Sequence, residues 1–212
     1  MKLTIKKCAV FSVLIISLML LPVHAAELQE KALTPELLEQ VRQGGYVLYI
    51  RHGKTDSSIP DQVPVDLDNC ASQRPLTEAG YQQMVSVGEN IRALGLPVGE
   101  IFVSPFCRTR ASADAAFGEN TWQLENLLMY TAAMTRAEKD PVVARTRALV
   151  SLPVLTPGKN RVLLAHGPNL AEIMSYFPPE GTLVIIKPMG DAGFEYQASI
   201  RPENWVDLLK GL

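Results

Sequence analysis

The chain has 212 residues, 47% of them hydrophobic, and its formal net charge is −2 at pH 7. This length and composition suit one domain with a sizeable hydrophobic core. A protein that binds a duplex or another polyanion needs a basic face. Since the charge balance offers none, we expect no nucleic-acid partner.

The first 25 residues are typical of a secretory signal peptide. Three lysines precede an apolar stretch over residues 9–21, and small residues at 23–25 offer a cleavage site. Cleavage would leave a domain over 26–212 with 17 basic and 22 acidic residues, hence a net charge of −5. We expect a periplasmic or secreted protein without stable membrane insertion. An uncleaved anchor is the alternative, although the apolar run is short for a span, which needs about 20 residues.

Two of the three cysteines, Cys70 and Cys107, would remain after cleavage. In an oxidising compartment, paired thiols normally form disulfides, so we predict a Cys70–Cys107 bond. The bond would tie the loop after the first predicted strand to the backbone just before Arg108. Two unpaired buried cysteines are the alternative.

The mature chain begins with a helix followed by a buried strand. A threonine N-cap, a proline and an acid at 34–36 start the helix, and the glycine pair at 44–45 ends it. The apolar run over 46–50 predicts the strand. It leads directly into the polar residues 51–55, and open α/β sheets bind ligands beyond the carboxyl ends of their strands.

A long polar loop, residues 55–75, follows this strand and is called the flap below. Before its last residue, Pro75, it contains Pro60 and Pro64, and it carries four acids, namely Asp56, Asp61, Asp66 and Asp68. Long loops without secondary structure are usually functional or disordered. We interpret the flap as a substrate-facing element; the alternative is a solvated excursion that the disulfide holds in place.

The rest of the chain alternates between strands and helices. Hydrophobic periodicity, helix-capping residues and helix-breaking Gly and Pro predict the elements. The helices are 77–94, 109–117, 138–150, 169–176 and 202–209. The strands are 101–103, an edge strand within 121–128, 161–165, 183–187 and 194–200. The short turn between the last two strands makes them antiparallel. The pattern predicts a three-layer α/β/α sandwich on a mostly parallel sheet with an antiparallel edge.

Three of these strands deliver imidazole or guanidinium groups: Arg51 and His52, Arg108, and His166. A lone histidine is more often structural, but two at equivalent positions beside arginines indicate a site. Guanidinium groups match phosphate oxygens and keep their charge. Nearby cations disfavour the imidazolium form, so His52 would stay neutral and able to act as a nucleophile.

The ordered motifs Arg51-His52-Gly53, Ser104-Pro105-x-x-Arg108-Thr109 and His166-Gly167 resemble the histidine phosphatase superfamily, which has the phosphoglycerate-mutase-like fold. The resemblance extends from Gly45 to Leu209 and includes a Leu-Thr-x-x-Gly helix start at 76–80. It implies a secreted phosphomonoesterase that acts through a phosphohistidine on His52. Arg51, Arg108 and His166 would bind the phosphate, with no metal or other cofactor. Thr55 would contact substrate, and Lys54, Arg74 and Arg110 are weaker candidates.

Many members of the superfamily also carry a glutamate that protonates the leaving oxygen. The corresponding region here, residues 127–131, contains no acid. Glu125 is the first candidate for the proton donor, with Asp56 and Glu180 behind it. A site without a donor would favour substrates with good leaving groups.

The resemblance includes the envelope branch of the superfamily, which implies a phosphorylated small molecule or an envelope glycan phosphate as the substrate. One alternative is a catalytically inactive phosphate-binding or phosphosugar-binding module on the same scaffold. A metal site at His52 and Asp56 is a weaker alternative, because no second acid lies at ligand spacing.

Overall fold

The computed structural model describes residues 28–211. The predicted signal peptide lies outside the described residues, and the division at residue 25 stays a prediction. Within the described range, no helix combines the length and the apolar character that crossing a bilayer needs.

Six strands form one sheet in the order β3-β2-β4-β1-β5-β6. They are β1 (Val47–Arg51), β2 (Val98–Val103), β3 (Gln123–Leu124), β4 (Asn160–Ala165), β5 (Leu183–Pro188) and β6 (Phe194–Ile200). Strands β1 and β2 both pair parallel with β4, and β3 pairs parallel with β2. Strand β5 pairs antiparallel with β1 and β6. The predicted mostly parallel sheet with an antiparallel edge is therefore confirmed.

Six α-helices accompany the sheet: α1 (Pro35–Arg42), α2 (Glu78–Ala93), α3 (Cys107–Phe117), α4 (Arg136–Ser151), α5 (Gly167–Met174) and α6 (Trp205–Lys210). The hydroxyls of Thr34 and Thr77 cap α1 and α2, as the sequence predicts. Helix α4 begins earlier than predicted because Thr135 and Glu138 form a capping box. The predicted closing helix divides into a 3-10 turn (Pro202–Asn204) and α6.

The sheet is buried on both faces, which confirms the three-layer architecture. Alternate residues of β1 enter different hydrophobic clusters: Leu48 and Ile50 pack in one, while Val47 and Tyr49 pack in the other. All four side chains are fully buried. Burying each such side chain contributes about 1.5–3 kcal/mol, so the strand that carries His52 is held rigidly from both sides.

Two glycines let the loop after β1 lie directly on α2. A Cβ at Gly80 would come within 2.1 Å of the Lys54 carbonyl oxygen, and one at Gly53 would come within 2.5 Å of the Gly80 carbonyl oxygen. Real side chains do not tolerate such distances. The contact fixes the backbone immediately after His52.

The flap is anchored at the start of α3. The predicted disulfide is confirmed, with the Cys70 and Cys107 Cα atoms 5.6 Å apart. Beside it, the Gln73 side chain accepts a hydrogen bond of 2.9 Å from the Cys107 amide. The flap therefore lies against the turn that positions Arg108.

Candidate active site

The two predicted histidines meet at one edge of the sheet. Strands β1 and β4 run side by side, with Arg51 level with Ala165, and each strand is followed at once by its histidine. The centroids of the His52 and His166 rings are 5.3 Å apart. The parallel register thus brings together residues more than a hundred positions apart in sequence.

His52 is 1% exposed, and its Nδ1 lies 2.9 Å from the Gly53 carbonyl oxygen. A hydrogen on Nδ1 satisfies that carbonyl and leaves a lone pair on Nε2. Burial, followed by the nearby charge of Arg108 and then of Arg51 and Arg74, holds the pKa of His52 well below its ordinary value. The lowered pKa favours the neutral ring, in which Nε2 carries the lone pair.

His166 is fully buried, and its Nε2 lies 2.8 Å from the Ser104 hydroxyl oxygen. Its Nδ1 has no hydrogen-bond partner among residues 28–211. Burial, then the charge of Arg108, lowers the pKa of His166 well below its ordinary value. The rings of Phe106 and Tyr130 pack edge-on against it, with centroids 5.0 and 5.5 Å away.

Arg108 is the most deeply buried cation of the site, at 1% exposure. Its Nη1 donates a 2.8 Å hydrogen bond to Asp61 of the flap. Nε and Nη2, in contrast, have no partner within the described part of the chain. The Cζ atom lies 4.5 Å from the centroid of Phe106 and 5.3 Å from that of Tyr130. Two neighbouring N–H groups of a fixed guanidinium are thus available to a pair of anionic oxygens.

Arg51 is held by a carbonyl group, an aromatic ring and a carboxylate. Its Nη1 donates to the Pro178 carbonyl oxygen at 2.7 Å, and its Cζ lies 4.7 Å from the Phe177 ring centroid. Nη2 lies 3.5 Å from Glu180 Oε1. The Thr55 hydroxyl donates to that same oxygen at 2.6 Å. Glu180 therefore connects two of the predicted substrate-binding residues.

The three candidate proton donors lie in different surroundings. The Glu125 carboxylate accepts two hydrogen bonds from Arg145, and no described contact joins it to the predicted histidines and arginines. Asp56 accepts from the backbone and the hydroxyl of Ser58. Glu180 alone of the three contacts the site, with Oε1 3.9 Å from His52 Nδ1.

Sequence reasoning missed Asp61 and Ser104 as members of the site. Asp61 was visible only as one acid among four in the flap, yet it bonds Arg108. The disulfide from the flap to Cys107, next to Arg108, was the one signal that could have suggested it. Ser104, although part of the quoted motif, had no role assigned to it.

The weaker cationic candidates separate in the structure. The backbone amide of Arg74 donates to Asp61 at 2.8 Å, and its charge lowers the pKa of both histidines. Arg110 instead directs Nη2 to Cys107 Sγ at 3.0 Å, and Lys54 is exposed. Within residues 28–211, no group of three or more His, Cys, Asp or Glu side chains could hold a metal ion.

Part of the chain matches a family of known proteins. Residues 47–128 match the family described as histidine phosphatase superfamily (branch 1). The resemblance to the superfamily is thereby confirmed, and the matched residues include the motifs at Arg51 and Arg108. No curated protein matches the full sequence significantly.

Solved structures share the fold at low sequence identity. A proposed alpha-ribazole-5'-P phosphatase from Escherichia coli is 13% identical, with a TM-score of 0.55, covering 75% of this chain and 98% of its own. A phosphoserine phosphatase from Entamoeba histolytica is 13% identical, with a TM-score of 0.52 and coverages of 74% and 98%. A mycobacterial glucosyl-3-phosphoglycerate phosphatase is 16% identical, with a TM-score of 0.51 and coverages of 73% and 98%.

Proposed function

We propose that this chain, which matches the histidine phosphatase superfamily in sequence and fold, is a phosphomonoesterase that uses His52 as its nucleophile. One observation carries the proposal: two buried imidazoles with lowered pKa values face a buried Arg108 that has two N–H donors without partners among residues 28–211. Neutral imidazole is the reactive form, and a phosphate dianion supplies the acceptors that the guanidinium lacks.

The reaction follows from these positions. The phosphate accepts hydrogen bonds from Arg108 and from Nε of Arg51, which is also buried without a partner in the described range. The Nε2 lone pair of His52 attacks phosphorus, and the bond from phosphorus to the ester oxygen breaks. Water then attacks the phosphohistidine, which frees inorganic phosphate and restores His52. Throughout, the guanidiniums offset the charge on the transferring group.

The leaving oxygen needs a proton, and we assign its delivery to Asp61. The Glu180 carboxylate approaches His52 at Nδ1, which is the nitrogen that does not attack phosphorus. Asp61, in contrast, bonds the guanidinium of Arg108, which would bind the phosphate. A phosphate bound by Nε and Nη2 of Arg108 would lie beside the Asp61 carboxyl, which bonds Nη1 of the same guanidinium. Asp61→Asn should therefore slow hydrolysis of alkyl phosphates far more than that of p-nitrophenyl phosphate, whose leaving group needs no proton. Equal effects on both substrates would reject the assignment.

The substrate is a phosphorylated small molecule, and the site of action lies outside the cytoplasm. The disulfide supports that location, because cytosolic thiols are normally kept reduced. An envelope sugar phosphate is the class that the sequence favours. A panel of phosphorylated metabolites and envelope sugar phosphates tests it, and the class is dropped if no sugar phosphate exceeds the simple esters in kcat/KM.

Turnover of p-nitrophenyl phosphate by the purified protein tests the core of the proposal. His52→Ala should abolish turnover, and acid-labile phosphate should be trapped on the wild-type protein during turnover. Lys159→Ala is the control and should keep wild-type activity, because Lys159 is exposed and precedes β4, at the end of that strand opposite His166. A protein that binds phosphate without any turnover would instead be a phosphate-binding module.

A further inference from the structure

An apolar cavity of about 430 Å³ lies between the flap and the segment that follows β3. Thirteen residues line it, and ten of them are apolar, among them Val65, Leu127, Met134 and Val142. Such a volume lies within the usual range for small-molecule pockets. None of these four residues belongs to the machinery described above.

Three residues are shared between this cavity and the phosphate site. Phe106 and Tyr130 line the cavity and also pack against His166 and the guanidinium of Arg108. Asp61 lines the cavity and bonds Arg108. The Phe106 and Tyr130 rings therefore separate the cavity from a phosphate bound to Arg108. We expect the alcohol group of a bound phosphate ester to extend past these rings into the cavity.

Apart from the Gln62 amide and the Tyr130 hydroxyl, the lining has few groups that could bind a charged or hydroxyl-rich ligand. Its two acids already have partners, Asp61 with Arg108 and Glu138 with the backbone and the hydroxyl of Thr135. None of its thirteen residues is a lysine, arginine or histidine, so a second phosphate would find no counter-charge there. Leu127 remains 40% exposed at the cavity, where an apolar ligand would cover it.

We propose that this cavity binds the alcohol moiety of the substrate and selects phosphomonoesters whose alcohol is an apolar alkyl or aryl group. The inference rests on the proposed phosphatase function, but it departs from the envelope sugar phosphate that the sequence favours, because the lining of the cavity is mainly apolar. Hydroxyl-rich sugar phosphates should be poorer substrates, because most of their hydroxyls would lose water without gaining partners in a lining where ten of thirteen residues are apolar.

The probes are ethyl, butyl and hexyl phosphonate, used as competitive inhibitors of p-nitrophenyl phosphate hydrolysis. The three compounds share one anionic group and differ only in chain length. Burying a methylene is worth about a three- to fourfold change in affinity. We expect hexyl phosphonate to bind at least about tenfold more tightly than ethyl phosphonate. Equal inhibition constants across the series would overturn the proposal.

Two variants from different parts of the lining locate the effect. Leu127→Asp adds a charge, and Ala133→Trp fills space from an exposed position. Both should flatten the chain-length dependence while leaving inhibition by inorganic phosphate unchanged. Leu152→Asp is the control, because Leu152 has similar exposure, at 50%, and does not line the cavity. A dependence that survives both variants would place the alkyl group elsewhere and reject the cavity.

Failure of the cavity and failure of the enzyme give different results. If the protein does not hydrolyse p-nitrophenyl phosphate, titration calorimetry with the same phosphonates still measures the chain-length dependence. A dependence that Leu127→Asp removes supports the cavity even in a binding protein. Its absence in an active enzyme rejects the cavity and leaves the phosphatase proposal standing.

Discussion

Arg108 offers the sharpest test of the site, because its charge and its geometry can be changed separately. Arg108→Gln removes the charge and most of the donors. Arg108→Lys keeps the charge but replaces the planar fork with a single ammonium. Since Nε and Nη2 are the donors without partners among residues 28–211, the guanidinium is expected to make two charged hydrogen bonds to phosphate.

The expected loss follows from those two bonds. Hydrogen bonds to charged groups contribute about 1.5–3 kcal/mol each, so Arg108→Gln should cost about 3–6 kcal/mol of transition-state stabilisation. That corresponds to a loss of about 10²- to 10⁴-fold in kcat/KM. Arg108→Lys should recover only part of this rate, because one ammonium cannot engage two oxygens in the same way.

The acid limb of the pH profile separates the two variants further. Arg108 is the charge that contributes most to lowering the pKa of both His52 and His166. Without that charge, the pKa of the nucleophile rises, and the acid limb of kcat/KM moves to higher pH. With lysine, the limb stays close to its wild-type position.

The assay is kcat/KM for p-nitrophenyl phosphate between pH 4 and 9, with thermal unfolding measured to verify that each variant folds. A folded Arg108→Gln protein within about threefold of wild type would refute the role of the guanidinium. An acid limb that does not move in Arg108→Gln would show that burial alone keeps the histidines neutral.

Three further predictions concern stability and the acids. Replacing both disulfide cysteines by serine should lower the free energy of unfolding by about 3–4 kcal/mol, given a sequence separation of 37 residues, and chemical denaturation measures this. Folding lowers the pKa values of His52 and His166, so below about pH 6.5 the unfolded state binds more protons than the folded state. The free energy of unfolding should therefore decrease as the pH falls, by up to about 2.7 kcal/mol per pH unit for the two histidines together. Glu180→Gln should lower kcat/KM about tenfold, since Arg51 loses a charged neighbour, whereas Glu125→Gln should leave it unchanged.

Each of these has a contradicting result. Equal unfolding free energies for the oxidised protein and the serine variant would reject the contribution of the disulfide. His166→Gln should halve the pH slope of stability, and an unchanged slope would assign it to other groups. A Glu125→Gln variant slower than Glu180→Gln would reverse the placement of the acids.

The fold could be predicted from the sequence because its signals are local. Apolar runs such as 46–50 specify buried strands, and the hydroxyl caps Thr34 and Thr77 mark helix starts that the structure reproduces. The disulfide followed from the count of cysteines together with the predicted oxidising compartment. Helix boundaries differed where a capping box, at Thr135, extended the helix by two residues.

The sequence could not show which acid lies near His52, because the order of the strands in the sheet does not follow their order along the chain. Glu125 follows the edge strand β3, and β2 and β4 both lie between that strand and β1. Glu180 precedes β5, which pairs directly with β1. The backbone makes this adjacency explicit, since the Arg51 amide donates to the Thr182 carbonyl oxygen. A residue's distance from the nucleophile is thus decided by strand neighbours.

Burying a guanidinium costs free energy, and the site holds two of them beside two neutral imidazoles. This combination suits the binding of an anion. Burial lowers the pKa of Arg51 and Arg108 and keeps both histidines uncharged. Asp61, from the flap, offsets part of the positive charge in the free protein. Glu180 offsets another part, at Arg51. A phosphate dianion would supply further negative charge and occupy the N–H donors that have no partner among residues 28–211. The electrostatic cost carried by the fold is thereby relieved on binding, which favours the anion over a neutral ligand of the same shape.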